Sequence, residues 1–454
     1  MGAIKEGRSD LEEIFKKIKH RDFSGNSGTA IKSSAYQVST GIAAKIGGLI
    51  FTVIIARQLM PELFGLYSLV LSTIIIFASF AELGINSTLV RFVSKEIGKK
   101  SKKIRPYIIY LLKIKIILIS FSVLVLAISA KFVAYNFYSE PIFLALLAGI
   151  LYIFFVQMLI FMQALLEASN YFKGIFQKEI IFQVSRLVMI PLAILLSLKY
   201  GLSTEMMLAN IVLLTSFSVL IASLFLLPKL NDFYFKNSLN KSVPLSTKQK
   251  KEVNAFIIST AAFFLSGVFF TNVDKIILGR FVSSEFIGYY GAASSLIAAL
   301  TPLVIFSSVV LLPIFSRLKG KRLEDGFKKS VRITFLLGCT LFVTTILFSH
   351  LAILLAYGKE YLQAVNVLRI LSFLLLIFPL TGIYSSYFIS LGKPRLITKL
   401  LVVSTIINII LNYLFITYFL QYGELFAIYG SGIAMLISQV FYLVGLVWYK
   451  KKMT

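Results

Sequence analysis

The sequence predicts an all-α protein that crosses a membrane about twelve times, and three observations lead to that prediction. Of the 454 residues, 58% are of the types AVILMFWYC and only 15% are charged. The mean hydropathy is +0.86, whereas a soluble protein carries about 25% charged residues. Apolar runs of about 20 residues recur along the chain, as membrane-spanning helices require. Together these values exclude a soluble enzyme, a nucleic-acid-binding protein and a disordered protein.

Each apolar run is long enough to cross a hydrocarbon core about 30 Å thick. The twelve predicted spans are 36–56, 65–86, 107–130, 141–166, 176–198, 206–227, 255–278, 287–315, 333–357, 362–390, 396–419 and 425–449. The one long polar stretch in the interior, 228–254, separates them into two groups of six.

The predicted organisation has four parts. Residues 1–35 form an N-terminal segment, 36–227 a six-helix lobe, 228–254 a linker and 255–454 a second six-helix lobe. Within the first part, residues 9–21 have the capping-box spacing and apolar face of a short amphipathic surface helix. A disordered basic tail is the alternative that the sequence leaves open.

The distribution of Lys and Arg orients the spans. Of 46 such residues, 35 lie in the two tails and in alternate breaks, and six lie inside spans. The intervening breaks hold only Arg57, Lys131, Lys199, Arg280 and Lys359. Because cytoplasmic loops are enriched in Lys and Arg, we expect a multi-pass protein of the cell membrane with both termini and the linker in the cytoplasm. Topology and anionic lipid then account for the net charge of +26, and no nucleic-acid partner is needed.

The two halves share a repeated motif. The segment 56–67, ARQLMPELFGLY, aligns without a gap with 279–290, GRFVSSEFIGYY, and the matching Arg, Glu, Gly and Tyr keep a constant offset of 223. Because both groups of six spans start from the same side, the sequence predicts parallel six-helix repeats about an axis along the membrane normal.

The motif also carries a family resemblance. The segment 55–67 resembles the first-hairpin signature of the polysaccharide transporters, and 274–290 resembles their seventh-helix motif. Glu82-Leu-Gly followed by Arg91 is similar to their acidic-Leu-Gly pattern, although Asp is commoner at the first position. Met60 stands where Gly is usual. These transporters, including the O-antigen flippases of lipopolysaccharide synthesis, share a superfamily with the multidrug and toxic compound extrusion (MATE) transporters and the lipid II flippases.

The resemblance implies a MATE-like fold and a flippase that moves a lipid-linked oligosaccharide from the inner to the outer leaflet of the cell envelope's membrane. It implies a polyprenyl or dolichyl (pyro)phosphate-linked glycan as substrate, membrane lipid as surroundings and glycan assembly machinery as a partner. It also implies that the motif residues belong to a gate. These are Arg57, Glu62, Gly65, Glu82, Arg91, Arg280, Glu285 and Gly288.

Charges inside the spans predict a cationic substrate cavity. Each charged side chain costs about 2.5–3.5 kcal/mol to insert at the membrane centre, so each is expected to have a functional or structural role. Lys45 and Arg186 lie deep in the first and fifth spans, Arg369 lies in the tenth, and Asp274 and Lys275 lie near the end of the seventh. Lys and Arg suit a phosphate. The alternatives are an Asp274–Lys275 ion pair for that pair, and snorkelling for the spans' other lysines.

Other functions are less well supported by the residues. A drug or cation antiporter of the same superfamily would need acidic and aromatic groups in its cavity. A membrane glycosyltransferase or polymerase would need carboxylates or His on sizeable outer loops. The single cysteine, Cys339, excludes an intrachain disulfide. We therefore expect no enzyme and no cofactor, and coupling to H⁺ or Na⁺ stays open.

Overall fold

The computed structural model describes residues 25–99, 101–235, 243–317 and 320–452, and these residues are helical throughout most of their length. The helices of the first half are α1 (Gly25–Ser79), α2 (Ile85–Gly98), α3 (Ile104–Lys131), α4 (Phe143–Ala168), α5 (Phe172–Lys199) and α6 (Thr204–Leu230). Those of the second half are α7 (Thr247–Phe281), α8 (Ser284–Arg317), α9 (Lys321–Leu347), α10 (Ser349–Tyr357), α11 (Ala364–Ser372), α12 (Leu374–Ser390), α13 (Pro394–Leu420) and α14 (Glu424–Lys451).

The all-α polytopic membrane fold is confirmed. Within the described residues, ten helices are long and apolar enough to cross a membrane. One of them contains the first predicted span and residues 65–79 of the second, because α1 continues through a bend at Met60 and ends at Ser79. The eighth predicted span coincides with α8. The ninth and tenth are each broken into two helices, at Phe348 and Phe373.

The predicted boundaries of the four parts differ in detail from the helices. α1 begins at Gly25, so the last third of the predicted N-terminal segment is continuous with the first span. α7 begins at Thr247, inside the predicted linker, where Ser246 and Gln249 form a reciprocal capping box. The predicted surface helix 9–21 and linker residues 236–242 lie outside the described residues.

The two halves pair their helices in the same way. α1 packs on α5 and α5 on α6 in the first half, while α7 packs on α13 and α13 on α14 in the second. In each half these are the first, fifth and sixth spans. The repeat read from the motif is therefore a repeat of packing as well.

The hydrophobic cores show where the halves meet. One large core contains buried residues from both, including Ile55 and Phe64 of α1 and Tyr290 of α8. A second core belongs to the first half with the start of α7, and a third belongs to the second half. The shared core lies at the end of the bundle that carries Arg57 and Arg280, and α1 makes its most extensive contact between halves with α8.

Candidate functional site

The motif glycines form a symmetric seam between the halves. A Cβ built on Gly65 would lie 1.7 Å from the carbonyl oxygen of Ser284, and one on Gly288 would lie 2.1 Å from that of Pro61. Pro61 and Ser284 are themselves related by the offset of 223 residues. Each half thus presents a glycine to the equivalent backbone of the other, and only a residue without a side chain fits there. We call this contact the glycine seam.

The two motif arginines reinforce the glycine seam. Arg57 donates from Nε to Ala356 O at 2.7 Å and from Nη2 to Leu355 O, at the end of α10. Arg280 donates from Nη1 to Phe137 O at 2.9 Å, at the end of the helical segment that follows α3. Helix ends leave carbonyl groups without intrahelical partners, so each arginine caps a helix of the opposite half.

The remaining motif residues of this end have local roles. Glu62 is exposed, while Glu285 accepts a hydrogen bond from the Tyr289 hydroxyl one turn along α8. Met60 has φ 62° and ψ 171°, a backbone conformation that favours glycine. The family's usual Gly at this position is therefore explained by the bend between the first two spans.

The opposite end of the bundle brings Arg91 and the α1–α2 break against α7. A Cβ on Gly84, whose φ is +79°, would lie 2.1 Å from Thr260 Oγ1. The Arg91 guanidinium lies 4.4 Å from the centre of the Phe256 ring, a cation–π contact between the halves. In the same region Tyr110 donates to Asn254 Oδ1 at 2.9 Å.

Glu82 is paired with a lysine rather than with Arg91. Lys115 Nζ lies 2.8 Å from Glu82 Oε2 and 2.6 Å from Gln157 Oε1. Gln157 in turn donates to Ala78 O at 2.7 Å, and Asn86 donates to Glu82. Lys115 is 0% exposed, so the expectation that it snorkels is wrong. Two polar side chains, Glu82 and Gln157, satisfy its ammonium inside the lobe instead of water at the surface.

Arg186 is held inside the first lobe by aromatic rings and one amide. Its guanidinium lies 4.3 Å from the Phe51 ring and 4.9 Å from the Phe182 ring, and Nε donates to Gln183 Oε1 at 2.9 Å. Gln183 donates to Glu179 at 2.6 Å. Among the described residues, the guanidinium reaches a carboxylate only through this amide, which leaves its charge incompletely neutralised.

Lys45 lies on the part of α1 that packs against these residues. Gly47 and Gly48 leave room for Gln183 and Arg186, whose side chains would come within 2.6 Å and 3.5 Å of added Cβ atoms. Lys45 is exposed, and its ammonium makes no hydrogen bond or ion pair with a described residue. It lies three positions before Gly48, about one helical turn from the Arg186 contact.

Asp274 lies inside the second lobe. It is 3% exposed and accepts hydrogen bonds from the Tyr290 hydroxyl and from the backbone N–H of Lys275 at 2.9 Å. Nearby, Ser431 donates to Asn412 at 2.7 Å. Among the described residues, the Lys275 ammonium makes no ion pair with Asp274, so the predicted alternative of a salt bridge is not formed here.

Arg369 connects two short helices within the second lobe. Its Nε donates to Ser349 Oγ at 2.9 Å, which ties α11 to α10, and Nη1 lies 3.3 Å from Asn366 Oδ1. The predicted site residues thus form three groups rather than one. Lys45 lies about a turn along α1 from the position that Arg186 approaches, Asp274 and Lys275 are adjacent in sequence, and the described contacts of Arg369 join it to neither group.

The sequence did not identify Lys115, Gln157 and Gln183. Lys113 and Lys115 both lie in the third span, but two residues turn a helix by about 200°, so they cannot share a face. The signal that could separate them is the presence of Glu82 and Gln157 in two other spans, since a buried cation needs such partners.

One carboxyl near the glycine seam has a shifted pKa. Glu140 lies in the loop between α3 and α4, outside the spanning helices. Partial burial raises its pKa from the ordinary value, and the negative charge of Glu62 raises it further. This face therefore holds a proton more tightly when folded than when unfolded.

Two family models match the chain. The model described as "Polysaccharide biosynthesis protein" matches residues 30–319, and the model described as "MatE" matches residues 260–414. No curated protein sequence matches this chain significantly.

Solved structures share the fold at low sequence identity. An inward-facing multidrug-resistance MATE family transporter of the MOP superfamily is 14% identical, with 92% of this chain and 94% of that chain covered and a TM-score of 0.65. The lipid II flippase MurJ in an inward closed conformation is 18% identical, with 90% and 87% covered and a TM-score of 0.65. A MOP superfamily transporter from Pyrococcus furiosus is 14% identical, with 94% and 95% covered and a TM-score of 0.61.

Proposed function

Because the chain belongs to the polysaccharide biosynthesis protein family of membrane transporters, we propose that it flips a lipid-linked oligosaccharide or polysaccharide precursor across the membrane. The substrate is a glycan on a polyprenyl or dolichyl (pyro)phosphate, and it moves from the cytoplasmic to the outer leaflet. The protein transports this substrate without catalysing a reaction on it, and the glycan assembly machinery of the same membrane supplies it.

The observation that carries the proposal is the state of Arg186. A guanidinium inside a spanning helix is costly unless it is paired, and here its hydrogen-bonding partner is the neutral amide of Gln183. Lys45, whose side chain is exposed, lies about one helical turn along α1 from Gly48, the position that Arg186 approaches. Two like charges at low dielectric repel each other, so an anion between them would be strongly favoured. A phosphate accepts two parallel hydrogen bonds from a guanidinium.

The glycine seam supports alternating access. The largest core, at the end with Arg57 and Arg280, draws on both halves, whereas the other end holds two smaller cores, one in each half, with the start of α7 packed on the first. We place the shared end at the outer face and the Lys- and Arg-rich end in the cytoplasm. In this state the outer face is closed, and rocking of one six-helix lobe against the other about the repeat axis opens it.

Orientation is tested by cysteine labelling from outside intact cells. A cysteine at Ser283 should react and one at Asn240 should not, and the reverse pattern would require the opposite orientation.

Coupling to H⁺ or Na⁺ would use the second lobe. Asp274 is the buried carboxylate there, and its described partners are hydroxyl and amide groups rather than a cation. This buried carboxylate, together with the "MatE" match over residues 260–414, also favours a drug or cation antiporter as the second candidate. That function requires Asp274 to meet an organic cation, whereas the phosphate site requires Arg186.

A reconstituted assay distinguishes the two candidates. The full chain is placed in liposomes with a fluorescent polyprenyl-pyrophosphate disaccharide, and flipping is followed by quenching from outside. Removing one charge-assisted hydrogen bond costs about 1.5–3 kcal/mol, about ten- to a hundredfold in affinity. Lys45→Ala and Arg186→Ala should therefore abolish most flipping, and Arg186→Lys should retain part of it because the bidentate geometry is lost.

The matched control is Lys113→Ala, which removes an exposed cation from another span. Full flipping by the Lys45→Ala/Arg186→Ala double variant would refute the phosphate site. Transport of an organic cation into the same liposomes that is retained by Arg186→Ala and lost in Asp274→Asn would favour the antiporter.

A further inference from the structure

A basic cavity lies at the Lys- and Arg-rich end of the second lobe, away from Arg186 and Asp274. It has a volume of about 790 Å³ and is formed by the turn between α12 and α13 together with the end of α14. Its seven described lining residues include Lys393, Arg395 and Lys452, and none of these seven carries a carboxylate. Tyr449 contributes the main aromatic surface. A concave surface with three positive charges favours an anionic ligand.

The neighbouring surface places this cavity at the membrane interface. Trp448 is 55% exposed, packs against Tyr449, and lies 5.4 Å from the Lys452 ammonium. Trp and Tyr are concentrated at the level of lipid headgroups. Val440, Val444 and Trp448 are exposed at four-residue intervals along α14, and the next position of this stripe is Lys452. An apolar, lipid-facing stripe therefore leads directly to the cavity.

We propose that this cavity binds the phosphate headgroup of an anionic phospholipid, whose acyl chains lie along the exposed stripe of α14. Arg395 can hold a phosphate oxygen pair with parallel hydrogen bonds, and Lys393 and Lys452 supply point charges. The site is separate from the transport pathway and binds a resident lipid rather than the transported glycan lipid.

Two features select an anionic phospholipid over other phosphate compounds. A zwitterionic headgroup would bring its own ammonium into a cavity that already holds three cations, which is unfavourable. A soluble phosphate would satisfy the cations but leave the apolar stripe without a partner. An anionic phospholipid accounts for both the basic cavity and the apolar stripe. Each basic residue near an anionic lipid contributes favourably to binding, and the acyl chains stay in the bilayer.

The test is lipid binding to the full-length protein in detergent, measured by native mass spectrometry with phosphatidylglycerol and with phosphatidylcholine. The cavity variant is K393Q/R395Q/K452Q, with R395Q alone as a milder form. The matched control, K95Q/K99Q/K102Q, removes three exposed charges from the same end of the first lobe. Circular dichroism and elution volume verify that each variant is folded.

The cavity variant should lose phosphatidylglycerol affinity by about tenfold or more, since each lost charge-assisted contact is worth about that factor. The control should change it by less than about twofold, and phosphatidylcholine binding should be unaffected in both. An equal loss in both triple variants would show a diffuse surface charge effect and overturn the proposal. Displacement of phosphatidylglycerol by millimolar inorganic phosphate would instead indicate a soluble-anion site and also overturn it.

Discussion

Adding one methyl group at the glycine seam should open the end of the bundle that it closes. In Gly65→Ala the new Cβ would lie 1.7 Å from Ser284 O and 2.6 Å from Ser284 C, and in Gly288→Ala it would lie 2.1 Å from Pro61 O. Each obstacle is backbone, which cannot rotate away as a side chain would. The two halves must therefore separate for either variant to fold in this arrangement.

The magnitude follows from the distances. A carbon and a carbonyl oxygen approach to about 3.3 Å, so Gly65→Ala requires a local separation of about 1.6 Å and Gly288→Ala one of about 1.2 Å. Overpacking of this kind costs about 1–3 kcal/mol. Because about 1.4 kcal/mol is a tenfold change in an equilibrium, the closed population should fall about five- to a hundredfold relative to open states.

The assay measures exposure of the seam. Ser68 is buried and its Oγ would lie 3.0 Å from a Cβ on Gly291, across the same contact between halves. In a Cys339→Ser background, Ser68→Cys should react slowly with a water-soluble maleimide in the purified protein. Adding Gly65→Ala should accelerate that reaction by about tenfold or more, in line with the population change, and should reduce transport.

Gly267→Ala is the control for the glycine substitution itself. Gly267 lies in α7 with no atom within 4 Å of an added Cβ, so alanine should fit and should gain up to about 1 kcal/mol of helix propensity. Unchanged labelling and transport in Gly65→Ala would refute the reasoning, because the closed end would then tolerate a side chain where the geometry leaves no room.

Three further predictions concern stability, measured as the midpoint of thermal unfolding in detergent by circular dichroism. Lys115→Met should destabilise the protein by about 3–5 kcal/mol because it leaves the Glu82 carboxylate without its cationic partner. Adding Glu82→Gln should restore most of the lost stability. No recovery of the midpoint in the double variant would contradict the buried ion pair. Met60→Gly should stabilise by about 1 kcal/mol, since it removes a side chain from a backbone conformation that favours glycine, and a lower midpoint would speak against that strain. Because the folded-state pKa of Glu140 is raised, its proton stabilises the fold below the ordinary carboxyl pKa, and this contribution is lost as pH rises through the raised pKa. Glu140→Gln should therefore raise the midpoint at neutral pH, and the difference should shrink as the pH falls; a difference independent of pH would rule out Glu62 repulsion and burial as its cause.

The sequence predicted the repeated motif of the seam but not the contact that its glycines make. The repeated Arg, Glu, Gly and Tyr at a fixed offset can be read directly from the sequence, and a glycine that recurs in both halves indicates a close approach. What the sequence could not give is the partner of each glycine. That Gly65 meets Ser284 and Gly288 meets Pro61 follows only from how the two halves are arranged.

The interior polar groups were harder to predict for a physical reason. Spanning helices are apolar on most faces, so periodicity does not separate a lipid-facing lysine from a buried one. Lys113 and Lys115 therefore look alike in the sequence, although one is exposed and the other is buried against Glu82. The breaks at Phe348 and Phe373 were missed because neither position is a proline or glycine, the residues that usually end a helix.

The two halves have equivalent residues at the glycine seam but charged groups of opposite sign inside their lobes. This difference has a mechanistic consequence. At the seam each half contributes an arginine cap and a glycine contact, so opening must disrupt equivalent interactions on both sides of the axis. Inside, the first lobe holds Arg186 and the second holds Asp274, groups of opposite charge. An anion bound in the first lobe and a cation bound in the second would each stabilise a different packing of its own lobe. Because both lobes meet at one symmetric seam, either ligand can bias the same opening equilibrium only through its differential affinity for the two states.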